Sequence, residues 1–223
     1  MGNGTPNYSG DWGLAVNATL SSPNCIAVDQ SGNVYFGAGN RIRKITIATG
    51  IITTIAGETT GGFSGDGGMA TAAQLNSPSG LVFDAAGNLY IADRSNHRIR
   101  KIELATGLIS TVVGTGTSGF SGDGGLATTA QLFEPADVAF DATGNLYIAD
   151  QRNHRIRKVE TGTGSISTVA GTGGNGFSGD GGVATAAQLA SPGSVTLDNM
   201  GNLYVGDDNN SRIRKVEATT GNI

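Results

Sequence analysis

A single cysteine, Cys25, rules out any disulfide within the chain and leaves the redox compartment open. Proline is scarce, at 5 of 223 residues, charged residues make up only 14%, and there are just two histidines. No apolar run approaches the roughly 18 residues a membrane helix needs, and Met1-Gly2-Asn3-Gly4-Thr5 has neither the basic start nor the apolar stretch of a signal peptide. Heptads are absent too, so long helices and coiled coils are not expected. What is plentiful is glycine, 37 residues, spaced between short β-branched runs, and that composition specifies strands and turns.

These residues recur in a fixed order. Tyr8-Ser9-Gly10-Asp11 returns as Phe63-Ser64-Gly65-Asp66, Phe120-Ser121-Gly122-Asp123 and Phe177-Ser178-Gly179-Asp180, at spacings of 55, 57 and 57 residues. Pro23, Pro78, Pro135 and Pro192 keep the same frame, as do four Arg-Ile-Arg-Lys tetrads beginning at Arg41, Arg98, Arg155 and Arg212. A repeat this long cannot bury its apolar faces alone, so the chain reads as one domain over residues 1–223, with repeat frames near 8–62, 63–119, 120–176 and 177–223.

One repeat shows the strand plan. Leu81-Val82-Phe83 is a first strand, Ala85-Ala86-Gly87-Asn88 a tight turn, and Leu89 to Asp93 a second strand. Arg98 to Leu104 and Ile109 to Val113 supply the third and fourth. Four antiparallel strands per unit predict an all-β propeller of four four-stranded repeats. The glycine-rich connection ahead of each unit is long enough to hold structure of its own. In it Thr71/Gln74, Thr128/Gln131 and Thr185/Gln188 have capping-box spacing, which predicts a short helical turn that tucks Leu75, Leu132 and Leu189 into the core. The first repeat departs, with Trp12 in place of a glycine.

Charge follows the same frame. Twelve of the 14 basic residues lie in the tetrads, leaving Arg94 and Arg152, and 14 of the 18 acids recur in register. Charges copied into every unit belong to the construction of the unit. Asp93 is expected to pair with Arg98 or Arg100, and Asp150 with Arg155 or Arg157. Asp66, Asp123 and Asp180 are expected to form turns by accepting local amide protons.

The run from Asp84 to Asp93 followed by Asn96-His97-Arg98-Ile99-Arg100-Lys101, repeated from Asp141 to Asp150 and Asn153 to Lys158, resembles the NHL repeat. The Phe-Ser-Gly-Asp-Gly-Gly inserts are similar to those of its bacterial long-repeat subgroup. The resemblance covers essentially the whole chain and implies a β-propeller, commonly of six blades, that serves as a binding platform. Four units are present. The chain opens at Met1-Gly2 on the tail of a fourth-strand position and stops at Asn222-Ile223 as another begins. Both a closed four-blade ring and an arc of a larger ring fit this pattern, and an arc would self-associate through its uncovered blade faces.

Strand parity places the loop before the first strand and the loop between the second and third on one face. Residues there that break the repeat are the candidate ligand contacts: Asp137, Arg94, Arg152, Asp208, Ser194 and Asn24. No catalytic residues and no metal ligands are assigned, and no cofactor is expected. His97 and His154 occupy equivalent loops, but packed sheets lie about 10 Å apart, and zinc needs both nitrogens within about 2.1 Å. Some NHL-like peptide-amidating lyases use histidine-bound zinc; two loop histidines do not supply that ligand set, and their expected role is hydrogen bonding in the loops. One carboxylate per glycine-rich loop is thin for calcium. Some NHL domains of the TRIM class bind RNA, but here the basic residues are matched by acids and the pI is near 5.0, so nucleic acid is not expected, nor is a membrane. The expectation is a non-enzymatic scaffold that recognises a protein, peptide or glycan on its long-loop face. The alternative is a propeller hydrolase or lyase with a site at the channel mouth, around Asp137. A secreted or cell-surface location is favoured, with the compartment otherwise undetermined.

Overall fold

The computed structural model describes residues 2–223. By compactness the chain divides into two units, Met1–Asn96 with Arg100–Thr111, and His97–Ile99 with Val112–Ile223. Among the described residues, fifteen strands build four antiparallel sheets, each in chain order. The first sheet is β1 (Pro23–Val28), β2 (Val34–Ala38), β3 (Arg41–Thr46) and β4 (Ile51–Ala56). The second is β5 (Pro78–Phe83), β6 (Leu89–Asp93), β7 (Arg98–Glu103) and β8 (Leu108–Val113). The third is β9 (Pro135–Phe140), β10 (Leu146–Asp150), β11 (Arg155–Val159) and β12 (Ile166–Ala170). The fourth has three strands, β13 (Pro192–Leu197), β14 (Leu203–Asp207) and β15 (Arg212–Val216). Its fourth-strand position is begun by Asn222, which bridges to Val183, as the sequence pattern anticipates. At the other terminus, the part of the expected strand tail that falls on Met1 lies outside the described residues.

Alternation along each strand gives a sheet two apolar faces, and within each unit neighbouring sheets bury them against each other. In the first unit, Tyr35 and Ile42 on one face of the first sheet pack with Leu81, Leu89 and Ile91 of the second. In the second unit, Ala139, Ala149 and Ile156 pack in the same way against Val195, Leu203 and Val205. Burying one such aliphatic side chain contributes roughly 1.5–3 kcal/mol. The tight turn between first and second strands is held by an aspartate. Asp141 accepts protons from the Thr143 and Asn145 amides, both at 2.9 Å, and from the Asn145 side chain at 2.7 Å.

The glycine-rich inserts cap the outer edge of each sheet. Gly67 N donates to Ile109 O at 2.8 Å and Ile109 N donates to Gly68 O at 3.0 Å, and the same pair recurs between Gly124, Gly125 and Ile166. In the fourth repeat the partner is Ile223, whose amide donates to Gly182 O at 2.9 Å. An insert laid on the fourth strand removes an unpaired edge from solvent.

A short helical turn follows in each insert, at Ala70–Ala72, Ala127–Thr129 and Ala184–Ala186, with Leu75, Leu132 and Leu189 fully buried behind it. The capping box is not how it is held. The N-cap residues are Met69, Leu126 and Val183, with no side-chain cap, and the threonines lie inside the turn or at its end. The glutamine amides instead donate to Ser64, Ser121 and Ser178 Oγ, at 3.1, 3.1 and 3.3 Å. The serine of the Phe-Ser-Gly-Asp motif thus does the work expected of the threonine. Gly65 lets the two segments meet, since a Cβ there would stand 2.6 Å from that of Ala73.

Candidate functional site

The second arginine of each tetrad is the centre of its blade. Arg100 and Arg157 are fully buried and Arg214 nearly so. Arg100 Nη2 meets Asp66 at 2.8 Å and its Nη1 meets Asp93 at 3.5 Å. Arg157 bridges Asp123 (2.7 Å) and Asp150 (3.4 Å), and Arg214 bridges Asp180 (2.5 Å) and Asp207 (3.4 Å). The motif aromatic covers the same guanidinium, with the Arg157 carbon 4.7 Å from the Phe120 centroid and Arg155 at 3.7 Å. The expected pairing of Asp93 and Asp150 is therefore with Arg100 and Arg157. The reading of Asp66, Asp123 and Asp180 as turn formers is corrected: each carboxylate reaches a buried guanidinium, and an unpaired charge there would be far costlier than an unpaired turn amide.

Asp93, Asp150 and Asp207 also each hold the long loop of their own repeat in place. Asp93 Oδ1 accepts the Asn76 amide at 2.7 Å, Asp150 the Phe133 amide at 2.8 Å and Asp207 the Ala190 amide at 2.6 Å, tying the loop before the first strand to the end of the second. Their second oxygens accept from Asn96, Asn153 and Asn210, each at 2.8 Å. Burial pushes Asp93 and Asp150 up to about 6, against these hydrogen bonds and the arginine, which act to lower them.

On these anchors sit three short helical turns at equivalent positions, Arg94–Asn96, Gln151–Asn153 and Asp208–Asn210. One backbone bond pins each: Ser95 N to Asn76 O (3.1 Å), Arg152 N to Phe133 O (3.1 Å) and Asn209 N to Ala190 O (3.0 Å). The side chains carried by this fixed backbone differ between repeats. Arg94 opens one turn and Asp208 another. Arg152 is exposed, and its Nε donates to Glu134 at 3.2 Å.

The other candidates lie elsewhere. Asp137 on β9 is largely enclosed; its Oδ2 accepts the Val195 amide at 3.0 Å, and burial raises its pKa. Asn24 on β1 donates to Pro78 O at 2.7 Å. Both side chains join one first strand to the next. Ser194 is exposed and lines a small pocket with Asp208, Ser211 and Ile213.

The histidines follow each turn with left-handed backbone, at φ 55° for His97 and 53° for His154. His97 Nδ1 accepts the Glu134 amide at 3.2 Å and His154 Nδ1 accepts that of Ser191 at 3.0 Å. That geometry requires the Nε2–H tautomer. Burial lowers both pKa values. Asn40 plays the same part in the first repeat, accepting the Ser77 amide at 3.1 Å. Hydrogen bonding is the role expected of these loop histidines; the partner, a backbone amide 37 residues on, was not found from sequence, and the signal was Asn40 standing in the histidine column. Among the described residues no three His, Cys, Asp or Glu side chains are grouped as a metal site.

Face-packed, four-stranded antiparallel sheets with this connection order are the blades of a β-propeller. The teneurin NHL domain matches residues 3–62 and 60–119, and the NHL repeat matches 134–159 and 189–216. The chain belongs to the NHL-repeat family. Teneurin-1 of Gallus gallus is 32% identical over 94% of this chain, which spans 8% of the length of that protein. Two solved structures share the fold. An auxiliary nutrient binding protein from Bacteroides ovatus has a TM-score of 0.68 at 24% identity, over 89% of this chain and 48% of that one. Virginiamycin B lyase from Staphylococcus aureus has 0.59 at 17%, over 91% and 56%.

Proposed function

We propose that this NHL propeller is a non-enzymatic binding module that recognises a protein, peptide or glycan through the turns on its long-loop face. The fold itself serves both a nutrient binding protein and a lyase, so the site has to decide. One observation carries the reading: three turns with the same backbone, anchored by the same buried aspartate, present different side chains, Arg94, Arg152 and Asp208. A rigid frame with variable tips lowers the ordering cost of binding while leaving specificity to the tips. The acid a lyase or hydrolase would draw on, Asp137, is engaged by the Val195 amide.

The test is an array of immobilised peptides and glycans probed with the wild-type chain and with Arg152→Glu and Asp208→Lys. Binding to a defined group of array members, lost in at least one variant with an unchanged melting temperature, is the expected outcome. Equal binding by all three proteins would overturn the assignment of the face. Turnover of a substrate panel that is abolished by Asp137→Asn would overturn the non-enzymatic reading.

A further inference from the structure

The buried arginine of the first repeat keeps only half of the partners its counterparts have. Arg43 is completely buried, as are Arg100 and Arg157. Its Nη2 donates to Asp11 at 2.8 Å and to Ser9 O at 3.2 Å, the contacts that Arg100 makes with Asp66 and Ser64 O. Nη1 differs. In Arg100, Arg157 and Arg214 it meets the aspartate that ends the second strand, whereas Arg43 Nη1 has no hydrogen-bond partner among the described residues. Nε is unbonded in Arg43, Arg100 and Arg157 alike, so Nη1 is what sets the first repeat apart.

The cause is one residue inside the blade. Ala38 pairs with Pro23 and Arg41, the register in which Asp150 pairs with Pro135 and Arg155, so the first repeat carries a methyl where the others carry a carboxylate. No larger side chain compensates. Thr19 and Ser21 stand where the second repeat has Gln74 and Asn76, and the shorter Gly39-Asn40 turn has no counterpart of Asn96, whose side chain donates to Asp93. The backbone donor is retained, since the Ser21 amide stands in the position of the Asn76 amide, which Asp93 accepts at 2.7 Å. Charge leaves room for an anion as well: among the described residues Arg43 has one carboxylate, Asp11, whereas Arg100, Arg157 and Arg214 each have two. A buried cationic donor without an acceptor is costlier than a neutral one, which favours a ligand that supplies the acceptor.

We infer that Arg43 Nη1 and the Ser21 amide bind a small monovalent anion, of the size of chloride or formate, in the place that the carboxylates of Asp93, Asp150 and Asp207 fill in the other blades. The ion ties the loop before β1 to the buried arginine of β3, as the aspartate does in the later repeats. Bulky anions are refused because the guanidinium is closed off from solvent.

Thermal melts of the purified chain at constant ionic strength, with sodium chloride or sodium formate exchanged stepwise for sodium gluconate, test this against Ala38→Asp, which supplies the carboxylate from within. The wild-type melting temperature should rise by about 3 °C or more between about 5 and 500 mM of either small anion. Ala38→Asp should melt in gluconate at least as high as the wild-type chain in chloride, and should respond to chloride less than half as strongly. Wild-type crystals soaked in sodium bromide should show an anomalous peak within hydrogen-bonding reach of Arg43 Nη1, and this arm decides alone if the variant does not fold. A wild-type melting temperature indifferent to the exchange would overturn the inference, as would an equal response in folded Ala38→Asp or soaked crystals with no bromide at Arg43.

Discussion

Removing Asp150 probes the buried arginine ladder most sharply. Its carboxylate accepts from the Phe133 amide, the Asn153 side chain and Arg157, at 2.8, 2.8 and 3.4 Å. Asp150→Ala removes this acceptor from all three donors, of which Asn153 keeps Gly119 O at 2.7 Å. Breaking a buried ion pair costs about 3–5 kcal/mol, and a single orphaned buried amide about 1–3 kcal/mol. Arg157 keeps Asp123 at 2.7 Å and Ser121 O at 3.0 Å, so its charge is not left alone and the lower end applies, about 3 kcal/mol. Asp150→Asn retains an acceptor oxygen and should cost about 1–2 kcal/mol. The sign of the pH dependence follows from the raised pKa of about 6. A carboxyl that binds its proton more tightly when folded contributes most below its unfolded value near 3.9 and loses that contribution as pH rises through 6. The cost of Asp150→Ala, from urea unfolding with an unchanged m-value, should therefore be larger at pH 5 than at pH 7.5. A loss under about 1 kcal/mol at both values would refute the view that this aspartate holds the blade together.

Trp12 adopts φ 68° where the later repeats have glycine, so Trp12→Gly should raise stability by about 1 kcal/mol in the same unfolding assay. Carbon-detected NMR titration should find Asp93 and Asp150 near 6, and Asp29, Asp141 and Asp198 below the usual carboxylate range because side-chain and backbone donors hold their ionised forms against desolvation. The stability those three lend is present above about 4 and lost as pH falls through their depressed values. His97 and His154 should titrate below 6.5 as Nε2–H tautomers, visible in nitrogen shifts; the stability of their neutral forms is lost as pH falls from 6.5 through the lowered values.

Fold was legible because the repeat frame copies every strand, turn and buried leucine, so any one unit could be read against three others. The Arg-Asp pairing was half legible. Asp93 and Asp150 lie one hairpin away from their arginines, but Asp66 and Asp123 lie 34 residues from theirs, beyond any local rule. The capping-box reading failed because Ser64, ten residues upstream of Gln74, takes its amide through a long-range contact. Of the candidate contacts, Arg94, Arg152 and Asp208 fall on the turns, whereas Asn24 and Asp137 join strands of neighbouring blades. Parity gives the end of the blade on which a residue lies; it does not tell whether the next sheet has already taken its side chain.

The most direct measurement is calorimetric titration of the strongest array ligand into the wild-type chain and into a triple variant, Arg94→Ala with Arg152→Ala and Asp208→Ala, alongside thermal melts. Fixed turns with variable tips predict melting temperatures within a few degrees of each other and at least a tenfold loss of affinity, about 1.4 kcal/mol. Undiminished affinity in a stably folded triple variant would contradict it.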